Sequence, residues 1–144
     1  MGRLQSLLAS AWSGLLVAVG AVAAPSLFAV LDRSVAGLGA GRIFMVEAYI
    51  SVVLAMVMFL LERHRLRHQA PAVGHSVMST ELLLAMGALF ATVLGHFALR
   101  PMMDAAKAGQ GAWSFGALHA ASSSLFLLKG GLVLALAWRL TGRR

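Results

Sequence analysis

The sequence of 144 residues contains no cysteine. Disulfide bonds, thiolate metal sites and cysteine nucleophiles are therefore excluded. Charged residues are also scarce, at 12% of the chain, whereas hydrophobic residues make up 60%. Soluble domains usually carry about 25% charged residues. This composition favours a membrane protein.

The net charge of +7 does not by itself indicate a nucleic-acid partner. The basic residues stand beside apolar runs, as anchors at lipid headgroups do. No basic face with interleaved aromatic residues is present, and such a face is typical of nucleic-acid binding. We therefore expect the lipid bilayer as partner and no nucleic acid. Both a homo-oligomer and a complex with a membrane partner protein are compatible with the sequence.

Four long apolar runs, separated by short polar breaks, predict four transmembrane helices. Each run is close to the roughly 20 residues that a helix needs to cross the hydrocarbon core. We expect one all-α domain over residues 1–144, an integral membrane four-helix bundle with up-down-up-down topology. The predicted helices cover about 6–31, 41–64, 79–101 and 112–140.

Local signals add detail to these helices. Pro25 is expected to kink the first helix, because proline lacks the N–H that a helix interior needs. The glycine-rich GLGAGR segment at 37–42 is interpreted as a tight turn between helices. Trp12, Trp113 and Trp138 are interpreted as anchors at the membrane interfaces.

The distribution of Lys and Arg predicts the orientation. Seven of these residues fall on the side of both termini, and four fall on the opposite side. The positive-inside rule then places both termini in the cytoplasm. We expect an integral membrane protein of a bacterial inner (plasma) membrane. The seven are Arg3, Arg63, Arg65, Arg67, Arg139, Arg143 and Arg144, and the four are Arg33, Arg42, Arg100 and Lys107.

Three ionisable residues from three helices are predicted at similar depth in the outer half of the membrane. They are Glu47, His96 and His119. Polar residues inside a membrane are costly and often functional. Together with neighbours on the same helical faces they predict an outer-half ligand pocket. The predicted pocket comprises Glu47, Ser51, His96, Arg100, His119, Ser122 and Ser123.

Two interpretations of this pocket are open. Two imidazoles and a carboxylate suit a metal ion, so His96, His119 and Glu47 are candidate metal ligands, and two facing histidines can also hold haem. The alternative is a buried hydrogen-bond network that includes an Arg100–Asp104 pair. The three candidate ligands lie on separate helices, so no spacing of two ligands within one helix supports a metal site. The cofactor is thus unknown, with a metal ion or haem as the candidates.

Lys129 lies deep in the fourth apolar run. Glu81 is its predicted partner in a buried ion pair. A proton or ligand relay, or snorkelling of the lysine toward the cytoplasm, are the alternatives. His64, His68 and His75 in the second break could bind a metal, although a solvated basic loop is the simpler interpretation. No nucleotide loop, Ser-His-Asp triad or zincin helix is present, so no catalytic residue is predicted.

Several segments resemble the transmembrane-protein-205-like family of small four-helix membrane proteins. They are AAPSLF, AGLGAGRIF, GHFALRPMMD and FGALHAASS, with Leu118, His119 and Ser122 as the most specific residues of the last. That family resembles the copper-resistance-D-like membrane proteins and a haem-binding four-helix protoporphyrinogen oxidase family. The resemblance implies metal or porphyrin handling.

Three functional hypotheses follow. The first is a membrane protein that binds a metal ion or a haem-like ligand in the outer-half pocket. The second is a non-catalytic accessory or structural subunit, whose polar residues specify helix packing or partner binding. The third is a membrane oxidoreductase with a porphyrin substrate, and it is the least favoured because no catalytic spacing is present.

Overall fold

The computed structural model describes residues 2–68 and 78–142. These residues form four long helices: α1 is Gly2–Val30, α2 is Arg33–His68, α3 is Thr80–Lys107 and α4 is Phe115–Thr141. All four are long and apolar enough to cross a membrane. The predictions of an all-helical fold and of four helices able to span a membrane are confirmed.

The helices pack as a ring in which each contacts two neighbours. Helix α1 packs against α2 and α4, and α3 packs against the same two helices. Within the described residues, neither diagonal pair, α1 with α3 or α2 with α4, makes a close backbone approach. Any contact between α2 and α4 must therefore be made by long side chains through the middle of the bundle.

The core of the bundle combines small residues with a few large ones. Alanines allow the helix backbones to approach closely, as is common for helices in membranes. Trp12 and Leu136 are the largest apolar side chains that are fully buried among them. The core contains Ala9, Trp12, Leu16, Ala55, Met58, Ala85, Ala88, Val133, Leu136, Ala137 and Leu140.

The prediction of a tight turn at 37–42 is wrong, because this segment is helical. Helix α2 begins at Arg33 and contains the segment, so only Leu31 and Asp32 separate it from α1. Two of the three glycines there, Gly39 and Gly41, allow other side chains to approach the helix backbone closely. A Cβ on Gly41 would lie 2.9 Å from the Arg100 guanidinium, and a Cβ on Gly39 would lie 3.4 Å from Leu27.

Two π-helical segments interrupt α1 and α3, and each ends two or three residues before a proline. They are Ala18–Ala23 before Pro25, and Val93–Ala98 before Pro101. A proline in a helix loses one hydrogen bond and clashes with the carbonyl four residues earlier. Those two carbonyls, of residues 21 and 97, both lie inside the π-helical segments. The wider turns thus accommodate the prolines, and the irregularity expected at Pro25 takes this form.

Candidate functional site

A buried chain of polar side chains crosses the middle of the bundle. The ammonium of Lys129 lies 2.8 Å from each carboxylate oxygen of Glu47, so the ion pair spans the diagonal between α4 and α2. Ser51 donates a hydrogen bond to the same carboxylate. The indole N–H of Trp12 donates to the Ser51 hydroxyl over 2.8 Å. We call Trp12, Ser51, Glu47 and Lys129 the central polar chain.

Phe126 covers the central polar chain. The Lys129 ammonium lies 5.0 Å from the centroid of the Phe126 ring, one turn earlier on α4. The edge of Phe44 packs against the same ring at a centroid distance of 5.1 Å. Gly20, in the first π-helical segment, leaves the space that the ring occupies, since a Cβ there would lie 2.7 Å from it. The ion pair is thereby shielded by an aromatic side chain.

The predicted ion pair between Glu81 and Lys129 is replaced by two others. Glu81 accepts a hydrogen bond from Arg139 over 2.9 Å, whereas Lys129 pairs with Glu47. Both predicted residues are buried and both are ion-paired, but with different partners. The physical reason is depth: Arg139 and Glu81 both lie near helix ends, whereas Lys129 lies ten residues before Arg139, about 15 Å deeper in the bundle.

A second buried polar cluster lies at the end of the bundle where Gln5, Glu62 and Ser79 meet. Glu62 accepts hydrogen bonds from Gln5 (3.0 Å), from Ser79 (2.7 Å) and from Arg65. Ser79 also caps α3 by accepting from the Leu82 amide. This carboxylate therefore ties the start of α1 and the start of α3 to the end of α2.

The structure does not gather the candidate metal ligands. Glu47 is buried in the central polar chain, and His96 is half-buried against the rings of Tyr49 and Phe97. His119 is exposed and stacks on Phe115 at a centroid distance of 5.7 Å. Residues 119 and 129 are ten positions apart and so about 80° apart around a helix. Burial of Lys129 thus turns His119 outward.

The rest of the predicted pocket is divided in the same way. Ser51 is buried, and Ser122 is half-buried and donates to the Gly95 carbonyl in the second π-helical segment over 3.3 Å. Ser123 is exposed. Arg100 contacts the Gly41 carbonyl and lies 3.5 Å from Asp104, the pairing expected in the network interpretation.

Within the part of the chain that the structure describes, no group of three or more His, Cys, Asp or Glu residues is placed to hold a metal ion. His64 and His68 lie one turn apart on α2, with ring centroids 4.3 Å apart. The third histidine of that proposed set, His75, lies outside the described residues.

The sequence analysis misread Trp12 and did not identify Glu62 or its partners Gln5 and Ser79. Trp12 is fully buried, so its interpretation as an interface anchor is wrong, while Trp113 and Trp138 are exposed. Glu62 was passed over as part of the basic loop. A signal for it exists: positions 47, 51, 55, 58 and 62 recur at intervals of three and four and are all buried, as on one face of a helix.

Four apolar helices joined by buried polar contacts define a four-helix integral membrane protein. Residues 7–112 match the model of a domain of unknown function, DUF4149, and the chain belongs to this family. No curated protein and no solved structure matches the chain significantly. The resemblances to the transmembrane-protein-205-like and copper-resistance-D-like families thus receive no support from these comparisons.

Proposed function

We propose that the protein is a non-catalytic structural or accessory membrane subunit whose interior polar residues specify how its helices pack. The central polar chain is the observation that carries this proposal. It joins α1, α2 and α4 through directional contacts. Among the described residues, every buried side-chain nitrogen and oxygen has a hydrogen-bond partner. A binding site would instead keep some of these groups free for its ligand.

Polar contacts suit this role in a bilayer. Apolar packing alone discriminates weakly between helix registers, because lipid tails are as apolar as the helices. A single buried ion pair with satisfied hydrogen bonds penalises any rotation or slip that separates the charges. Glu47 and Lys129 would thus select one arrangement of the two diagonal helices.

We further infer an orientation from the ends of the helices. Gln5, Glu62 and Ser79 lie in contact, and Glu81 contacts Arg139, so these segments share one end of the bundle. That end also carries the larger number of arginines. The positive-inside rule then supports an up-down-up-down topology with both termini in the cytoplasm. In a bacterium the membrane would be the inner membrane.

The competing proposal is a metal ion or haem-like ligand bound by Glu47, His96 and His119. Its main difficulty is geometric, since His119 is exposed and Glu47 is already occupied by Lys129 and Ser51. A membrane oxidoreductase with a porphyrin substrate has no further support.

One preparation tests both proposals. The protein is extracted from its native membrane in a mild detergent, and its complex mass, metal content and visible spectrum are measured. If the protein is a subunit, it should migrate as a complex larger than the single chain. It should contain no stoichiometric metal and show no Soret band after metal and haem have been supplied. A lone monomer would contradict the subunit assignment. Metal or haem that is lost in His96→Ala would favour the ligand proposal instead.

A further inference from the structure

Four residues near the end of α2 line an open, shallow depression on the outside of the helix. They are Leu60, Arg63, His64 and Arg67. Their spacing of three, four and seven residues places them on one helical face. Leu60 makes the first part of this face apolar, and Arg63 and Arg67 make the rest basic. We call these four residues the α2 basic face.

Among the described residues, the two arginines of this face have no acidic partner. Arg65, between them in sequence, pairs with Glu62, and Arg139 pairs with Glu81. Across residues 2–68 and 78–142, no acidic side chain lies within 4.0 Å of Arg63 or Arg67. Both side chains are exposed, and no carboxylate of the described residues pairs with their positive charge.

The α2 basic face continues an apolar stripe. Val53, Met56 and Leu60 are each about half exposed or more, and they precede Arg63 on the same side of α2. In a membrane-spanning helix such a stripe contacts lipid tails. Arg67 lies seven residues, about 10 Å, beyond Leu60 along the axis. The headgroup region of a bilayer adds about 5–8 Å to each side of the hydrocarbon core. The guanidinium groups therefore reach the depth of lipid phosphates.

We propose that the α2 basic face binds an anionic phospholipid, with its phosphate between Arg63 and Arg67 and an acyl chain along Leu60 and Met56. Guanidinium groups bind phosphate oxygens through paired, charge-assisted hydrogen bonds. Side chains four residues apart on a helix are neighbours, about 6 Å apart at Cβ, so both can contact one phosphate. An imidazole N–H of His64 adds a third donor. This proposal is independent of the function proposed above.

The test uses the delipidated full-length protein in a neutral detergent. Binding of phosphatidylglycerol and of phosphatidylcholine is measured by native mass spectrometry on the wild type and on Arg63→Gln/Arg67→Gln. The control is Arg3→Gln/Arg33→Gln, which removes the same charge from two other exposed arginines. We expect phosphatidylglycerol binding to weaken about tenfold or more in the first variant. It should stay near the wild-type value in the control. Phosphatidylcholine should bind weakly to all three proteins.

Two further arms separate the possible sources of phosphate and check folding. Inorganic phosphate at millimolar concentration should not displace the lipid, and Leu60→Gln should weaken lipid binding because it removes the apolar contact. Thermal unfolding of Arg63→Gln/Arg67→Gln should match the wild type, since both side chains are exposed. Equal losses in both arginine variants, no preference for phosphatidylglycerol, or displacement by free phosphate would each overturn the proposal.

Discussion

The Lys129 ammonium lies 2.8 Å from both oxygens of the Glu47 carboxylate, between two helices whose backbones do not approach each other closely. Neither charge could stay in the hydrocarbon interior alone, because an unpaired charge there is costly. The pair is therefore a constraint that α2 and α4 impose on each other. The pair also helps to position Trp12, because the indole donates a hydrogen bond to Ser51, and Ser51 donates one to Glu47.

Loss of one partner should be worse than loss of both. Lys129→Met leaves the Glu47 carboxylate buried without a counter-charge, and we expect a loss of about 3–5 kcal/mol in the free energy of unfolding. The double variant Glu47→Gln/Lys129→Met should recover most of this loss, because no charge is then buried. Unfolding by denaturing detergent, followed by circular dichroism, measures both variants.

Lys107 offers a matched control for this experiment. Its ammonium also lies 5.0 Å from a phenylalanine ring, that of Phe115, but the side chain is exposed. Lys107→Met should therefore cost only about 0.5–1 kcal/mol. A double variant as unstable as Lys129→Met would show that the ion pair itself stabilises the bundle, against the expectation from buried charges.

Trp12 should behave as a buried hydrogen-bond donor. Trp12→Phe removes the indole N–H that Ser51 accepts, and we expect a loss of about 1–3 kcal/mol in the free energy of unfolding. Trp138→Phe is the control, because Trp138 is 80% exposed and should change the free energy by less than about 0.5 kcal/mol. Equal effects of the two substitutions would restore the interpretation of Trp12 as an interface anchor.

The number of helices was predictable because it depends on local composition. Each apolar run carries its own signal, and the structure contains a helix for each. The start of α2 was predicted too late, since the glycines at 37–42 were assigned to a turn. What Gly39 and Gly41 provide is space for Leu27 on the preceding helix and for Arg100 on α3.

The polar contacts were less predictable, because they depend on how each helix is rotated. On α4, facing His119 inward and facing Lys129 inward are competing choices about 80° apart. The sequence analysis placed both side chains inside the bundle, whereas the structure buries Lys129 and exposes His119. The acid opposite Lys129 lies 82 positions away along the chain, which no local pattern identifies. A pair within one helix, such as Arg100 with Asp104, can be predicted from its spacing without knowing how the helices are rotated.

The close approach of Gly20 to Phe126 should make this glycine sensitive to substitution. A Cβ at position 20 would lie 2.7 Å from the Phe126 ring, which Phe44 holds from another side. Gly20→Ala should therefore lower the free energy of unfolding by about 1–3 kcal/mol. Gly14→Ala is the control, since nothing lies within 4 Å of a Cβ there, and it should be neutral or stabilise by up to about 1 kcal/mol.

A rescue variant separates this overpacking from a general effect on α1. Phe126→Leu in the Gly20→Ala background should restore part of the stability, because the smaller side chain leaves room for the added methyl group. If Gly14→Ala and Gly20→Ala gave the same change, the contact with Phe126 would not be the cause.

The two membrane histidines should respond differently to removal. His119→Ala should change the free energy of unfolding by about 0.5 kcal/mol or less, because the side chain is exposed and stacks on Phe115, one turn earlier on the same helix. His96→Ala should cost more, about 0.5–1.5 kcal/mol, since its ring packs edge-on against Tyr49 and Phe97. Denaturation of both variants, with and without added Zn²⁺, is the measurement. Stabilisation of the wild type by Zn²⁺ that disappears equally in both variants would mean that the two histidines share a metal ion, and it would favour the competing ligand proposal.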